Sequence, residues 1–127
     1  MKTVLFNDPN LSNNQIFFIM NQIFTHEGLK MEAAFDAADT QSKAASLKPD
    51  IILLKNAVDT LQVLKDDPTI KDIPVVVLLP SKSSASYVQK MLDRGAAAAL
   101  TMDSASILQV IDKINEVLGE PAIIREQ

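Results

Sequence analysis

The tetrad Ile51-Ile52-Leu53-Leu54 has no polar member on either side of a two-residue repeat. A strand with one wet face alternates apolar with polar side chains. An unbroken apolar run this short therefore belongs to a strand covered on both faces, the situation of a parallel sheet between two layers of helix. Val75 to Leu79, held between Pro74 and Pro80, is a second run of the same kind. It falls far short of the ~20 apolar residues a membrane helix needs. The chain thus has to place helices on both sides of its central strands.

The remaining pattern supplies those helices. Val4 to Phe6 is a brief buried strand, and a helix opens at Leu11-Ser12 with Ile16, Ile19, Met20, Ile23 and Phe24 at helical gaps up to Gly28. Leu29, Met31, Ala33 and Phe35 then alternate with Lys30, Glu32 and Ala34, as in a half-exposed edge strand. Asp39-Thr40 caps a second helix ending near Leu47 and Pro49, and a short helix over about 59–65 follows the Ile51 strand. After the strand from Ile73 to Leu79, Ser83 or Ser84 caps a fourth helix with Val88, Met91 and Leu92 inward and Gly95 as its stop. Ala97 to Thr101 is the last strand. Ser104 caps a last helix that turns Ile107, Leu108, Ile111, Ile114 and Leu118 to one side, closed by Gly119 and Pro121. Five strands alternating with five helices imply an α/β fold: one doubly wound parallel sheet with right-handed crossovers. Residues 1–119 form that single domain, and 120–127 read as a tail or the start of a linker.

Composition excludes several functions. With no Cys and one His, the chain of 127 residues has no disulfide framework, zinc-finger set or thiol nucleophile, and the cytoplasm is the expected compartment. A net charge of −4 without a Lys/Arg run argues against electrostatic binding to nucleic acid or to a membrane surface. The three glycines, Gly28, Gly95 and Gly119, each follow a helix or turn, which leaves none for a phosphate-cradling loop. The loop Asp8-Pro9-Asn10-Leu11 has neither the Gly of a flavodoxin phosphate loop nor the His of a cobalamin site.

In such a sheet, ligands gather beyond the carboxyl ends of the strands. The stretches to inspect are Asn7-Asp8-Pro9, Lys55-Asn56, Leu79-Pro80-Ser81 and Thr101-Met102-Asp103. The runs Lys48-Pro49-Asp50-Ile51-Ile52-Leu53-Leu54 and Asp72-Ile73-Pro74-Val75-Val76-Val77-Leu78, with Gly95-Ala96 before the last strand, resemble the receiver domain of bacterial response regulators over nearly the whole chain. The resemblance implies the flavodoxin-like, CheY-like (βα)5 architecture with strand order 2-1-3-4-5. It also implies phosphoryl transfer to an Asp closing the third strand, assisted by a cation, further acids, a hydroxyl and a Lys.

This chain departs from that set position by position. Lys55 stands at the phosphoacceptor, where an ammonium cannot form an acyl phosphate. Of the acidic pair after the first strand Asp8 remains, with Pro9 beside it. Leu79 replaces the Ser/Thr, Met102-Asp103 the Lys-Pro pair, and Ala99 the aromatic before it. Only 18 positions separate Lys55 from Ile73, and the Met-Pro and Gly of the family's loop are missing. The expectation is a degenerate pseudo-receiver: no enzyme, with no metal and no cofactor. Its role would be phosphorylation-independent recognition of a signalling protein, or of a second copy, through Tyr87, Lys90, Met91, Ala98 and Gln109 on the fourth helix, last strand and last helix. The competing expectation is a metal- or ligand-responsive switch using Asp8 and Asp103.

Several single residues carry a sharp and a bland reading. Lys55 either pairs permanently with Asp8 or extends into water, where a pair is worth only ~0–1 kcal/mol. Asp59 is a helix cap before it is a displaced phosphoacceptor. His26 sits where an imidazole favours a helix carboxyl end and is not a ligand. Phe18, Met20 and Phe24 fit a core stripe better than a binding face, whereas Phe17 leaves the stripe and is expected at the surface. Ser81, Ser83, Ser84 and Ser86 are explained by a turn and a cap.

Overall fold

The computed structural model describes residues 2–7, 14–55, 58–80, 82–101 and 107–119. Among them β1 (Lys2–Asn7), α1 (Asn14–His26), β2 (Leu29–Ala34), α2 (Ala37–Leu47), β3 (Ile51–Lys55), α3 (Val58–Asp66), β4 (Val75–Leu79), α4 (Ala85–Asp93), β5 (Ala98–Thr101) and α5 (Ile107–Val117) alternate strictly. All pairings are parallel, in the order β2-β1-β3-β4-β5. The inferred doubly wound sheet is therefore correct, and the edges are β2 and β5.

The unbroken apolar runs now have their cause. Successive residues of the central strands enter opposite layers: Val4, Phe6, Ile51, Leu53, Val76 and Leu78 pack with α1 and α5. Leu5, Ile52, Leu54, Val75, Val77 and Leu79 pack in the layer of α2, α3 and α4. Every one of these side chains is at most 3% exposed, which is why these runs contain no polar side chain.

Helix boundaries and faces differ from expectation in instructive ways. Helix α2 begins at Ala37, because Asp36 is its cap: its Oδ1 accepts from the Asp39 N–H at 2.8 Å. Asp39, expected as the cap, sits in the first turn and accepts the Phe35 N–H at 2.8 Å. The two carboxylates thus satisfy donors on both sides of the helix start. Strand β2 ends at Ala34, which is buried, and Phe35 is exposed. The two-residue alternation fails there because the strand end hands over to the α2 cap. Ile19, Leu92 and Leu108, all expected inward, are exposed, since the buried stripes of α1, α4 and α5 centre on Met20 and Phe24, on Met91, and on Val110, Ile111 and Ile114. Phe18 is exposed too, so it is no part of the core stripe. Strand β4 begins at Val75 and β5 at Ala98, one or two residues inside the ranges read from pattern. The helix opening at Leu11-Ser12, the Ser104 cap, the side chains of Ile16 and Phe17, and the tail 120–127 lie outside the described residues.

Candidate functional site

The chain leaves β1 for β2 at one edge and returns across the sheet to β3, so the topological switch lies between β1 and β3. Beyond their carboxyl ends the fold brings together Asn7 and Lys55. Asn7 is in register with Leu54, one step before Lys55, and Lys55 is in register with Leu78 of β4. Leu79 pairs with Thr101 on β5. Asn7, Lys55, Leu79 and Thr101, the described strand-ending members of those stretches, thus stand at the carboxyl ends of neighbouring strands. Asp8, Pro9, Asn56, Ser81, Met102 and Asp103 lie outside the described residues, and with them the Lys55–Asp8 pair.

Lys55 closes the central strand and is half-buried. Leu79 is fully buried in the layer of α2 to α4. An aliphatic side chain there offers no oxygen to a phosphoryl group. Neither residue supplies what acyl-phosphate chemistry needs: a carboxylate nucleophile and a hydroxyl beside it.

Asn7, which the sequence marks only as the lead-in to Asp8, is a buried polar residue at the carboxyl end of β1. It is 1% exposed. Its Nδ2 donates to Thr40 Oγ1 at 2.6 Å and reaches the Asp36 carbonyl at 3.4 Å. The Thr40 hydroxyl spends its own proton on the same carbonyl, at 2.6 Å. With both neighbours acting as acceptors, the amide is oriented nitrogen toward α2, and Oδ1 is left with no partner. It is the one buried side-chain polar atom in that condition among the described residues. The signal in the sequence was slight: a polar residue directly after Val4-Leu5-Phe6, inside the buried run rather than beyond it.

Elsewhere the titratable groups serve the scaffold. The Phe35 N–H holds the Asp39 carboxyl below its ordinary value against the opposing effect of burial, and a hydrogen bond and the charge of Lys43 add to the lowering. Hydrogen bonds from the Thr69 hydroxyl, Gln41 and the Thr69 N–H do the same for Asp67. Burial lowers the pKa of Lys65, opposed by Asp72, while its Nζ donates to the carbonyls of Lys71 at 2.9 Å and Ile73 at 3.2 Å. Asp59 is exposed in the first turn of α3, one residue inside the helix rather than its cap, where a carboxylate favours the dipole. His26 is exposed in the last turn of α1, as expected. Ser84 caps α4 by accepting the Tyr87 N–H at 3.2 Å, Ser83 Oγ donates to the Pro80 carbonyl at 2.7 Å, and Ser84 and Ser86 share a hydrogen bond. Among the described residues, no group of three or more His, Cys, Asp or Glu could hold a metal ion, and no helix is long and apolar enough to cross a membrane.

The expected contact face is divided by burial. Lys90 and Gln109 are exposed, and Tyr87 is half-buried against the α2–α4 layer. Met91 is 0% and Ala98 8% exposed. Both belong to the core, because Met91 is the centre of the α4 stripe and Ala98 faces the α1–α5 layer.

No protein-family model and no curated protein sequence matches the chain. Solved structures do. The receiver domain of the Francisella response regulator 1452 superimposes with a TM-score of 0.80 at 20% identity, covering 94% of this chain and 98% of that one. A response regulator from Desulfuromonas acetoxidans gives 0.79 at 18% identity over 94% and 98%. The chemotaxis response regulator CheY4 of Vibrio cholerae gives 0.76 at 19% identity over 92% and 98%. Element order, strand order and near-complete coverage agree, and the chain has the fold of response-regulator receiver domains.

Proposed function

We propose that this chain is a receiver-fold interaction module of two-component-type signalling that works without phosphorylation, without a cofactor and without catalysis of its own. The observation that carries this reading is Lys55 at the carboxyl end of β3, beside Asn7 on β1. The central strand delivers an ammonium to the place where the receiver chemistry requires a carboxylate. Buried Leu79 removes the neighbouring hydroxyl as well. What remains usable is surface: Tyr87 and Lys90 on α4 and Gln109 on α5, offered to a cytoplasmic signalling protein or a second copy. Replacing Tyr87 by Ala together with Lys90→Glu should weaken that association. Unchanged affinity for every partner would show the face to be elsewhere.

The decisive measurement is a titration of backbone amide resonances, first with magnesium and then with beryllofluoride, a mimic of an acyl phosphate. A silent receiver shows no localised, saturable shifts at Lys55, Leu54 or Asn7. Saturation by beryllofluoride at these amides would overturn the reading. The partnerless Oδ1 of Asn7 favours one second reading, in which the crevice keeps a cation-responsive site completed by Asp8 and Asp103. Saturable shifts with magnesium alone, lost in Asp8→Asn, would give that reading first place.

A further inference from the structure

The described side chains of α1 that meet solvent all lie on one side of the helix. Phe18 is 61% and Ile19 53% exposed, and Gln22, Thr25 and His26 are exposed as well. At about 100° of turn per residue, these five fall within an arc of about 120° centred on Gln22. Met20 and Phe24, buried in the core shared with α5, lie on the opposite side. Gln22 therefore faces straight away from the sheet, between two large exposed apolar side chains. The arc is also poor in charge. Asn14 to Thr25 contains no Asp, Glu, Lys or Arg, whereas α2, α3, α4 and α5 each carry both signs.

We propose that this face of α1 is an interface between two copies of the chain, helix packed antiparallel on helix across a two-fold axis at Gln22. The pairing is separate from the contact face proposed on α4 and α5 and does not depend on it. Two-fold symmetry makes a residue on the axis meet itself. A charge there would meet its like, but the Gln22 amide carries both donors and an acceptor and can hydrogen-bond to its own copy. The same axis sets the flanking pairs. Phe18 and His26 stand equally far before and after Gln22, so each Phe18 ring meets the ring of His26 of the partner subunit. By the same count Ile19 meets the methyl of Thr25 of the partner subunit.

The lack of charge chooses a second copy over other occupants. A membrane surface holds an amphipathic helix through Lys and Arg beside its apolar residues, which α1 lacks, and anionic lipid repels a chain of net charge −4. A different protein is steered and selected by complementary charge, and this face offers none. A second copy needs only that no like charges meet.

The test is sedimentation of the full chain over about a hundredfold range of concentration, where a concentration-dependent dimer is expected. Gln22→Glu and Gln22→Lys are exposed substitutions that leave the fold intact. Each alone should weaken dimerisation about tenfold, because like charges then meet on the axis, and the two mixed in equal amounts should restore it. A chain that stays monomeric up to its solubility limit would overturn the proposal. So would a dimer that neither substitution weakens, or one that mixing fails to restore. Tyr87→Ala with Lys90→Glu should leave the dimer unchanged, and its loss there would move the second copy to α4. In a mixture of differently labelled unmodified chains, cross-peaks are expected between the Phe18 ring of one copy and the His26 ring of the other. A dimer without them would also overturn the proposal, and this arm needs no variant.

Discussion

A buried amide is stable when its polar atoms are paired, and Asn7 is paired on one side only. Its anchor is the Thr40 hydroxyl, so Thr40→Val, which keeps the shape and removes the acceptor, leaves the Nδ2 group with only a long contact to the Asp36 carbonyl. The expected loss is about 1–3 kcal/mol in urea unfolding. A loss below about 0.5 kcal/mol would mean that the amide is not held from α2. Asp39 makes the opposite case, a carboxylate stabilised by its surroundings. Its folded pKa lies below the ordinary 3.8, because the Phe35 N–H donates to it and the Lys43 ammonium stands nearby. A depressed folded pKa contributes stability that is fully present above the unfolded value and is lost as pH falls through the folded one, below about pH 4. Asp39→Asn should therefore flatten the acid side of the stability profile below about pH 4, and an unchanged acid slope would contradict the assignment. Neither residue's role was legible from the sequence alone. Asn7 becomes a crevice residue only through Thr40, 33 positions away, and Asp39 looked like a cap because the true cap, Asp36, satisfies the same pattern three residues earlier.

At the scale of elements, periodicity located every helix and strand but misjudged which flank of a helix is wet. Ile19, Leu92 and Leu108 each adjoin a stripe residue in sequence and are apolar, so a pattern of apolar positions places them inside. Which flank meets a neighbouring element and which meets solvent depends on where that neighbour packs, and this is not written in the helix itself. Helix α4 shows the consequence for function. Met91 was a contact candidate, yet it is 0% exposed, while the adjacent Lys90 is exposed. Met91→Ala should cost about 2–5 kcal/mol of stability, as a cavity in the core does. Lys90→Glu should change stability by no more than about 0.5 kcal/mol, as a surface substitution does. Thermal unfolding of the two variants separates them, and similar values would place Met91 outside the core.

The whole molecule is one sheet shared by two apolar layers. Because adjacent residues of β1, β3 and β4 enter opposite layers, neither layer has strands of its own to unfold separately. Tyr87, the single tyrosine in a chain without tryptophan, reports the α2–α4 layer, and Phe24 belongs to the other. Phe24→Ala should cost about 3–5 kcal/mol and shift the tyrosine-emission midpoint as far as the far-ultraviolet circular dichroism midpoint. Midpoints that separate would show that the layers unfold independently. The amino-acid sequence by itself determined the α/β class, the five-fold alternation and the burial of the central strands on both faces. These follow from local periodicity, and Ile51 to Leu54 and Val75 to Leu79 state it without ambiguity. Resemblance supplied the strand order, and with it the edge of the sheet where Lys55 stands. Only the tertiary structure decided that Asn7 is buried with an unpaired oxygen, that Met91 is core and that Phe18, Ile19 and Leu108 are exposed. Each of these depends on which distant residue fills the space beside it, and side-chain packing of that kind is set by the assembled layers rather than by any stretch of chain.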